Sequence, residues 1–144
     1  VQLVISGGIR SGADVAKALA LGADAASIGT AAMVAIGDND PALEEEYRKL
    51  GTTAGAYDDW HAGNDPAGIT TQRPELAARL DPVQAGRRLA NYLSVMTMEV
   101  QALARANGKS NVLNLEPEDL AALTIEAAAM SGVPLAGTNW IPGG

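Results

Sequence analysis

Two short stretches hold the residues best suited to chemistry. The first is Ile5-Ser6-Gly7-Gly8-Ile9-Arg10-Ser11-Gly12, which follows the apolar run Val1 to Ile5 and leads into an amphipathic segment. The second is Ala25-Ala26-Ser27-Ile28-Gly29-Thr30, again a strand-like run that ends in glycine. Glycine has no Cβ, so its backbone N–H can approach an anion closely. The unpaired N–H groups and the dipole at a helix start favour negative charge. Two adjacent strands, each ending in glycine at the mouth of a helix, are read together as a phosphate grip. The residues expected to form it are Ser6, Gly7, Gly8, Ile9, Arg10, Gly29 and Thr30. Thr30 would donate from its hydroxyl and its N–H. Arg10 would add charge, or pair with an acid at the rim. The competing reading of the glycines is tight packing.

Other chemistries find less support. His61 is the only histidine, so a histidine-rich metal site is excluded within this chain. Beside Trp60 it reads as a loop residue with a satisfied hydrogen bond. Asp38, Asp40, Asp58, Asp59 and Asp65 lack the spacing of a calcium loop. There are no cysteines, hence no disulfide, thiolate metal site or cysteine nucleophile. No Ser/His/Asp or Walker-type arrangement is visible. No metal is expected, and no catalytic residue can be assigned. The net charge of -7 argues against non-specific binding to nucleic acid or anionic membranes. No apolar run approaches the ~18 residues of a membrane span. The missing cysteines fit the cytosol, so a cytoplasmic location is expected.

The elements that must position the glycines follow from pattern. Val1 to Ile5 is predicted as a buried strand. Ser11 caps a helix with Asp14 as its capping-box partner, and Gly22 stops it. Val15, Ala18, Leu19 and Leu21 face inward. Ala25 to Ile28 is the second strand, completing a strand–helix–strand unit. Thr30 to Ile36 forms a small helix, broken at Gly37 to Pro41. A charged helix, Ala42 to Leu50, follows. Gly51 to Gln72 is irregular, and its Tyr57 and Trp60 mark it as an ordered excursion. Asp81-Pro82 opens a long helix to about Asn107, with Leu89, Leu93, Met96, Val100 and Leu103 on its buried face. Glu116 starts a last helix, with Leu120, Leu123, Ala127 and Met130 inward and Gly132 at its end. Val133 to Gly144 is a tail.

The glycine pair matches the phosphate site after the last two strands of a (β/α)8 barrel. A complete barrel needs roughly 250 residues, and only two strands are visible. The expected fold class is therefore α/β, the C-terminal part of a TIM barrel followed by an α-helical extension. The expected divisions are 1–37 for the barrel end, 38–80 for the loop excursion and 81–144 for the extension. The rest of the barrel would lie upstream or in another chain.

These residues also carry a family resemblance. Ser6 to Val15, followed by Gly29-Thr30-Ala31-Ala32, resembles the end of the FMN-binding barrel of glutamate synthases. Asp65-Pro66-Ala67-Gly68-Ile69-Thr70-Thr71-Gln72-Arg73-Pro74-Glu75-Leu76 resembles the segment after the iron–sulfur cysteines of that family. The helices from Asp81 and Glu116, with Leu135-Ala136-Gly137-Thr138, resemble the extension of its shorter members. The resemblance implies FMN held through Ser6 to Arg10, Gly29 and Thr30. It also exposes a departure. The three cysteine positions match Gly37-Asp38, Trp60-His61 and Asp65-Pro66 here. Clusters of that type are held by thiolates, so no iron–sulfur cluster is expected in this chain.

Within the family the pattern is similar to the flavin-binding third subunits of N-methylglutamate synthases (methylamine–glutamate N-methyltransferases). The loop Gly51 to His61 adds to that likeness. The implied reaction moves a hydride from Cα of glutamate to FMN, exchanges ammonia for methylamine at the imine, and returns the hydride. It has no net redox change. The implied partners are the upstream barrel, an amidotransferase-like subunit and a glutamate-synthase-like subunit. Ligands for the substrate carboxylates would lie upstream. Alternatives are a relative that forms glutamate from 2-oxoglutarate and glutamine-derived ammonia, a non-catalytic barrel subunit, and a sugar-phosphate barrel without flavin.

Overall fold

Two short strands and the helix between them open the chain. In the computed structural model, which describes residues 1–38, 40–54 and 60–143, Val4–Ser6 (β1) pairs in parallel with Ala25–Ser27 (β2). The register sets Val4 opposite Ala25 and Ser6 opposite Ser27, so both strands end level. A parallel pair requires a crossover, and Gly12–Ala20 (α1) supplies it. The predicted capping box is present: the Ser11 side chain accepts from the Asp14 N–H, and the Asp14 carboxylate reaches back to the Ser11 N–H. Gly22 follows the C-cap Leu21 with φ +100°, as the predicted stop requires.

The chain divides into two compact units, residues 1–27 with 95–144, and residues 28–94. The expectations placed on Tyr57, Asp58 and Asp59 lie outside the described residues. The chain is a mixed α/β structure with a two-stranded parallel sheet among the described residues.

In the first unit α1 lies on the last turns of Pro82–Ala106 (α5). Ala16, Leu19 and Ala20 bury against Val100, Ala104 and Leu115. Alanines on both helices permit a close approach, and Gly12 marks its tightest point. A Cβ at Gly12 would stand 2.5 Å from the Met96 carbonyl oxygen and 2.6 Å from Glu99 Cβ. A second small cluster joins Ala122, Ala128 and Val133, where Ala122 bridges Leu135 in parallel. Lys109 ties this part together by pairing with Glu116 and, at 3.3 Å, with Asp119.

Several sequence expectations need correction here. β1 is shorter than predicted and is exposed rather than buried, with Val4 62% accessible. Among the described residues nothing covers its apolar faces. The last helix, Ile125–Ser131 (α6), begins later than predicted because Pro117–Asp119 forms a separate 3-10 turn. Its buried side is Ala128, while Leu123, Ala127 and Met130 are exposed. On α5, Met96 and Val100 are buried as predicted, but Leu93 is exposed.

In the second unit Thr30–Met33 (α2) passes into a π turn, Val34–Asp38, broken at Gly37. A 3-10 turn, Pro41–Leu43, is capped by Asp40 and runs into Glu44–Lys49 (α3). Trp60–Ala62 is a further 3-10 turn within the excursion. Pro74–Ala77 (α4) precedes α5, whose start is capped by the Asp81 carboxylate accepting from Val83 and Gln84 N–H at 2.9 and 3.1 Å. Among the described residues no helix is long and apolar enough to cross a membrane.

The Gly12 contact gives a first prediction. In the full-length protein, Gly12→Ala should lower stability by about 1–3 kcal/mol, the usual cost of overpacking. A denaturation midpoint unchanged from wild type would show that α1 and α5 do not meet at this point.

Candidate functional site

The first part of the predicted phosphate grip is a turn of unusual backbone. Gly7 and Gly8 have φ +107° and +67°, a region that side chains with a Cβ rarely enter. A Cβ at either position would meet no described atom within 4 Å. Close packing therefore does not explain these glycines, whereas the turn conformation does. Among the described residues no backbone hydrogen bond occupies the N–H groups of Gly7, Gly8 or Ile9.

The adjacent helix start is different, because several of its donors bond internal carboxylates. Asp14 accepts from the Arg10 N–H at 3.0 Å, the Ser11 N–H at 3.1 Å and the Ser11 hydroxyl at 3.1 Å. The Arg10 N–H does most to lower the Asp14 carboxyl to about 2, followed by Lys17 at 3.2 Å and Ser11. Glu99 of α5 accepts from the Gly12 N–H at 2.6 Å. Two internal carboxylates thus take the N–H groups of Arg10, Ser11 and Gly12. Anything Arg10 offers a ligand must come from its side chain.

Gly29 and Thr30, the other half of the pattern, belong to the second unit. Gly29 precedes α2 with φ -123°, and its carbonyl accepts from Ala32 and Met33 N–H at 2.9 and 3.1 Å. Thr30 is the first residue of α2. A Cβ at Gly29 would also meet no described atom within 4 Å.

The second unit holds a buried polar cluster that the sequence did not reveal. The Tyr47 hydroxyl lies 2.9 Å from Asp38 Oδ1 and 3.1 Å from Asp65 Oδ1. Asp38, Tyr47 and Asp65 are 5%, 0% and 1% exposed. Asp65 organises the loop after it: Oδ1 accepts from the Ala67 N–H at 3.0 Å, and Oδ2 from Ile69 and Thr70 N–H at 2.8 Å each and from the Thr70 hydroxyl at 3.2 Å. Burial pushes the Asp65 carboxyl up, but the backbone donors of Thr70, Ala67 and Ile69 outweigh it and leave it below the ordinary value. Among the described residues Asp38 has no such backbone donors, and burial raises it above the ordinary carboxylate value. Burial, and then the bond to Asp38, raise the Tyr47 phenol as well.

Tyr47 was missed because it sits in the charged segment Glu44–Lys49, which reads as a solvated helix. The available signal was its spacing from Leu43: residues four apart share a helical face. His61 stands in the 3-10 turn and lines an open cavity of about 550 Å³ with Thr70, Thr71 and Arg73. Arg88 lines another of about 490 Å³ with Arg79 and Glu46. Among the described residues no three His, Asp or Glu side chains gather as metal ligands would.

Comparison with known proteins adds a consistent set of likenesses. The conserved region in glutamate synthase matches residues 1–40 and 55–110. A glutamate synthase large subunit-like protein of Rhizobium meliloti is 80% identical over 143 residues, covering 99% of this chain and 32% of that protein. An archaeal glutamate synthase (NADPH) of Methanocaldococcus jannaschii is 44% identical over 115 residues, 80% of this chain and 19% of that one. A chloroplastic ferredoxin-dependent glutamate synthase of Oryza sativa subsp. japonica is 35% identical over 102 residues, 71% of this chain and 5% of that one. The chain thus spans about a third of the first relative and less of the others. No solved structure matches it.

The α1 start gives a prediction with a pH signature. Asp14→Ala removes half of the capping box and should cost about 1 kcal/mol in the full-length protein. The folded Asp14 carboxyl is lowered from 3.8 to about 2, so its contribution is complete above pH 3.8 and lost as pH falls through about 2. Denaturation midpoints of variant and wild type should converge over that interval. A gap that persists below it would mean that the carboxylate charge is not what holds the cap.

Proposed function

The chain belongs to the glutamate synthase family, and on that premise we propose that it closes the phosphate end of an FMN-binding (β/α)8 barrel in an enzyme that exchanges the amino group of glutamate for methylamine. In this reading residues 1–37 are the last two strand–helix units of the barrel. Residues 38–80 replace an iron–sulfur loop, and residues 81–144 form a helical extension. The exposed apolar strand β1 fits a sheet whose other strands belong to the remainder of the barrel, since parallel strands are covered on both faces.

The observation that carries the reading is that one chain holds both a glycine turn with positive φ and a loop without thiolates. The N–H groups of Gly7, Gly8 and Ile9 suit a phosphate: among the described residues no backbone acceptor takes them, and no described atom would crowd a Cβ at Gly7 or Gly8. The Ser6 hydroxyl and the Arg10 side chain would add a donor and a charge. Gly29 and Thr30 enter the reading by their sequence pattern. When bound, FMN would supply reversible hydride transfer at the amino-bearing carbon. This chain's residues would hold the phosphate, and with it the position of the cofactor. The groups that bind the glutamate carboxylates and move protons would come from the upstream part of the barrel.

The loop favours an exchange without an external electron donor. Asp38 and Asp65 stand where the resemblance places cluster cysteines, and carboxylates do not replace thiolates in holding such a cluster. Amine exchange is redox-neutral, because the hydride taken from glutamate returns to the N-methyl imine. The reading includes a cytoplasmic location, an amidotransferase-like partner and a glutamate-synthase-like partner. A second reading is formation of glutamate from 2-oxoglutarate and glutamine-derived ammonia, which the names of the NADPH- and ferredoxin-dependent relatives favour. A non-catalytic barrel subunit is the third.

An absorption spectrum of the full-length assembly, taken anaerobically before and after glutamate, separates these readings. Flavin bands that bleach with glutamate alone are expected, and methylamine should restore them with release of N-methylglutamate. Bands indifferent to glutamate would favour the donor-dependent synthase; no flavin would sink the cofactor assignment. Gly8→Val should strip flavin while the assembly keeps its size. Unchanged flavin content in that variant would remove Gly8 from the site.

A further inference from the structure

The buried contact between Tyr47, Asp38 and Asp65 poses a problem of proton count. A phenol carries one proton and can donate one hydrogen bond. Its oxygen nevertheless lies at hydrogen-bond distance from a carboxylate oxygen of Asp38, 2.9 Å, and of Asp65, 3.1 Å. If both acids were ionised, one of these contacts would set oxygen against oxygen with no proton between them, in a buried site. Such an arrangement is expensive away from water, and two neighbouring carboxylates relieve it by keeping one proton.

The surroundings decide which acid keeps it. Both oxygens of Asp65 already accept from donors that cannot turn away: the N–H groups of Ala67, Ile69 and Thr70, with the Thr70 hydroxyl as a fourth. A proton on Asp65 would have to displace one of them. Asp38 has no hydrogen-bond partner besides Tyr47 among the described residues. The charged groups of the neighbouring elements do not supply a counter-ion to it. Arg79 pairs with Glu46 at 2.9 Å and donates to the Pro66 carbonyl at 3.0 Å. Asp40 caps Ala42 at 2.9 Å. Arg88 of α5 reaches to within 3.4 Å of where a Gly37 Cβ would stand, but makes no bond to Asp38.

We propose that Asp38 and Asp65 keep one carboxyl proton between them, with neutral Asp38 donating to the Tyr47 oxygen and Tyr47 donating to ionised Asp65, and that this chain of bonds is a pH-sensitive latch. It fastens the Gly37–Asp38 turn and the loop after Asp65 to α3. The latch needs opposite states of its two acids. Asp38 is raised above 3.8, so its contribution is complete below that value and lost as pH rises through the folded value. Asp65 is lowered, so its contribution is present above 3.8 and lost as pH falls through its folded value. The latch is closed between the two folded values, with 3.8 inside the window. On the alkaline side Asp38 ionises and the two carboxylates repel across Tyr47. This inference is independent of the flavin reading.

The test is an asymmetry between two amide variants of the full-length protein. Asn at position 38 imitates the neutral acid and can donate to Tyr47. Asp38→Asn should keep wild-type stability at mildly acid pH and lose less than wild type as pH rises. Asp65→Asn keeps one acceptor oxygen and sets its amide hydrogens against either the Ala67 N–H or those of Ile69 and Thr70. It should reduce hydrogen-exchange protection of those amides by tenfold or more, which is about one pKa unit in energy. Equal damage from both variants at every pH would overturn the assignment. Wild type alone gives a second reading if a variant does not fold. The infrared C=O stretch of a protonated carboxylic acid should be present at mildly acid pH and fade on alkaline titration. Protection of Ile69 and Thr70, corrected for intrinsic exchange, should fall in step with it. No such band, or protection indifferent to pH, would also overturn the latch.

Discussion

A buried carboxylate must be surrounded by donors or lose its charge, and that constraint shapes the second unit around Asp65. Its two oxygens collect three backbone N–H groups and a hydroxyl from the five residues that follow. A loop without regular secondary structure cannot bury its own N–H groups against one another. The side chain at its start does what a helix or a strand partner does elsewhere. Gly68, at φ +76°, passes so close to the Leu76 carbonyl that no side chain fits there. Thr71 then accepts from the Arg73 N–H at 3.1 Å and donates to the Gly63 carbonyl at 2.6 Å, carrying the order on toward α4.

The same physics acts at the start of α1 with the opposite consequence. A helix start attracts anions through its free N–H groups and dipole. Here Asp14 and Glu99 are those anions, brought by the helix itself and by α5. Internal charge at that point removes donors that a ligand would use. It also fixes where the turn of Gly7 and Gly8 ends, and it leaves that turn with donors of its own. The helix start thus binds anions that belong to the fold itself.

Local rules made much of this legible in sequence. Ser11 with Asp14, Gly22 after its helix, and Asp81 before Pro82 are interactions between residues a few positions apart, and each is present. What failed depended on distant residues. The exposure of β1 could not be read from Val4 and Ile5, whose types say only that they suit a covered strand. The buried side of α6 turned out to be Ala128, because small residues fit a narrow contact that the larger Leu123 and Met130 do not. Tyr47 was hidden by three glutamates beside it. Asp38 and Asp65 were weighed only as calcium-loop ligands, because they lie 9 and 18 positions from the Tyr47 that joins them.

Family membership alone does not fix the chemistry of this loop. A fold can host different reactions, so the argument for a reaction must come from the site. Thiolates and a metal cluster fasten a loop with coordinate bonds and also carry electrons. A phenol between two carboxyl groups can take over the first task, since hydrogen bonds in a buried site hold geometry well when every partner is satisfied. It cannot take over the second. Moving a proton along Asp38, Tyr47 and Asp65 delivers no reducing equivalent. A loop fastened in this way is compatible with flavin chemistry that returns each hydride to where it came from. It places a demand on any donor-dependent alternative, which would need a path for electrons through residues outside this chain.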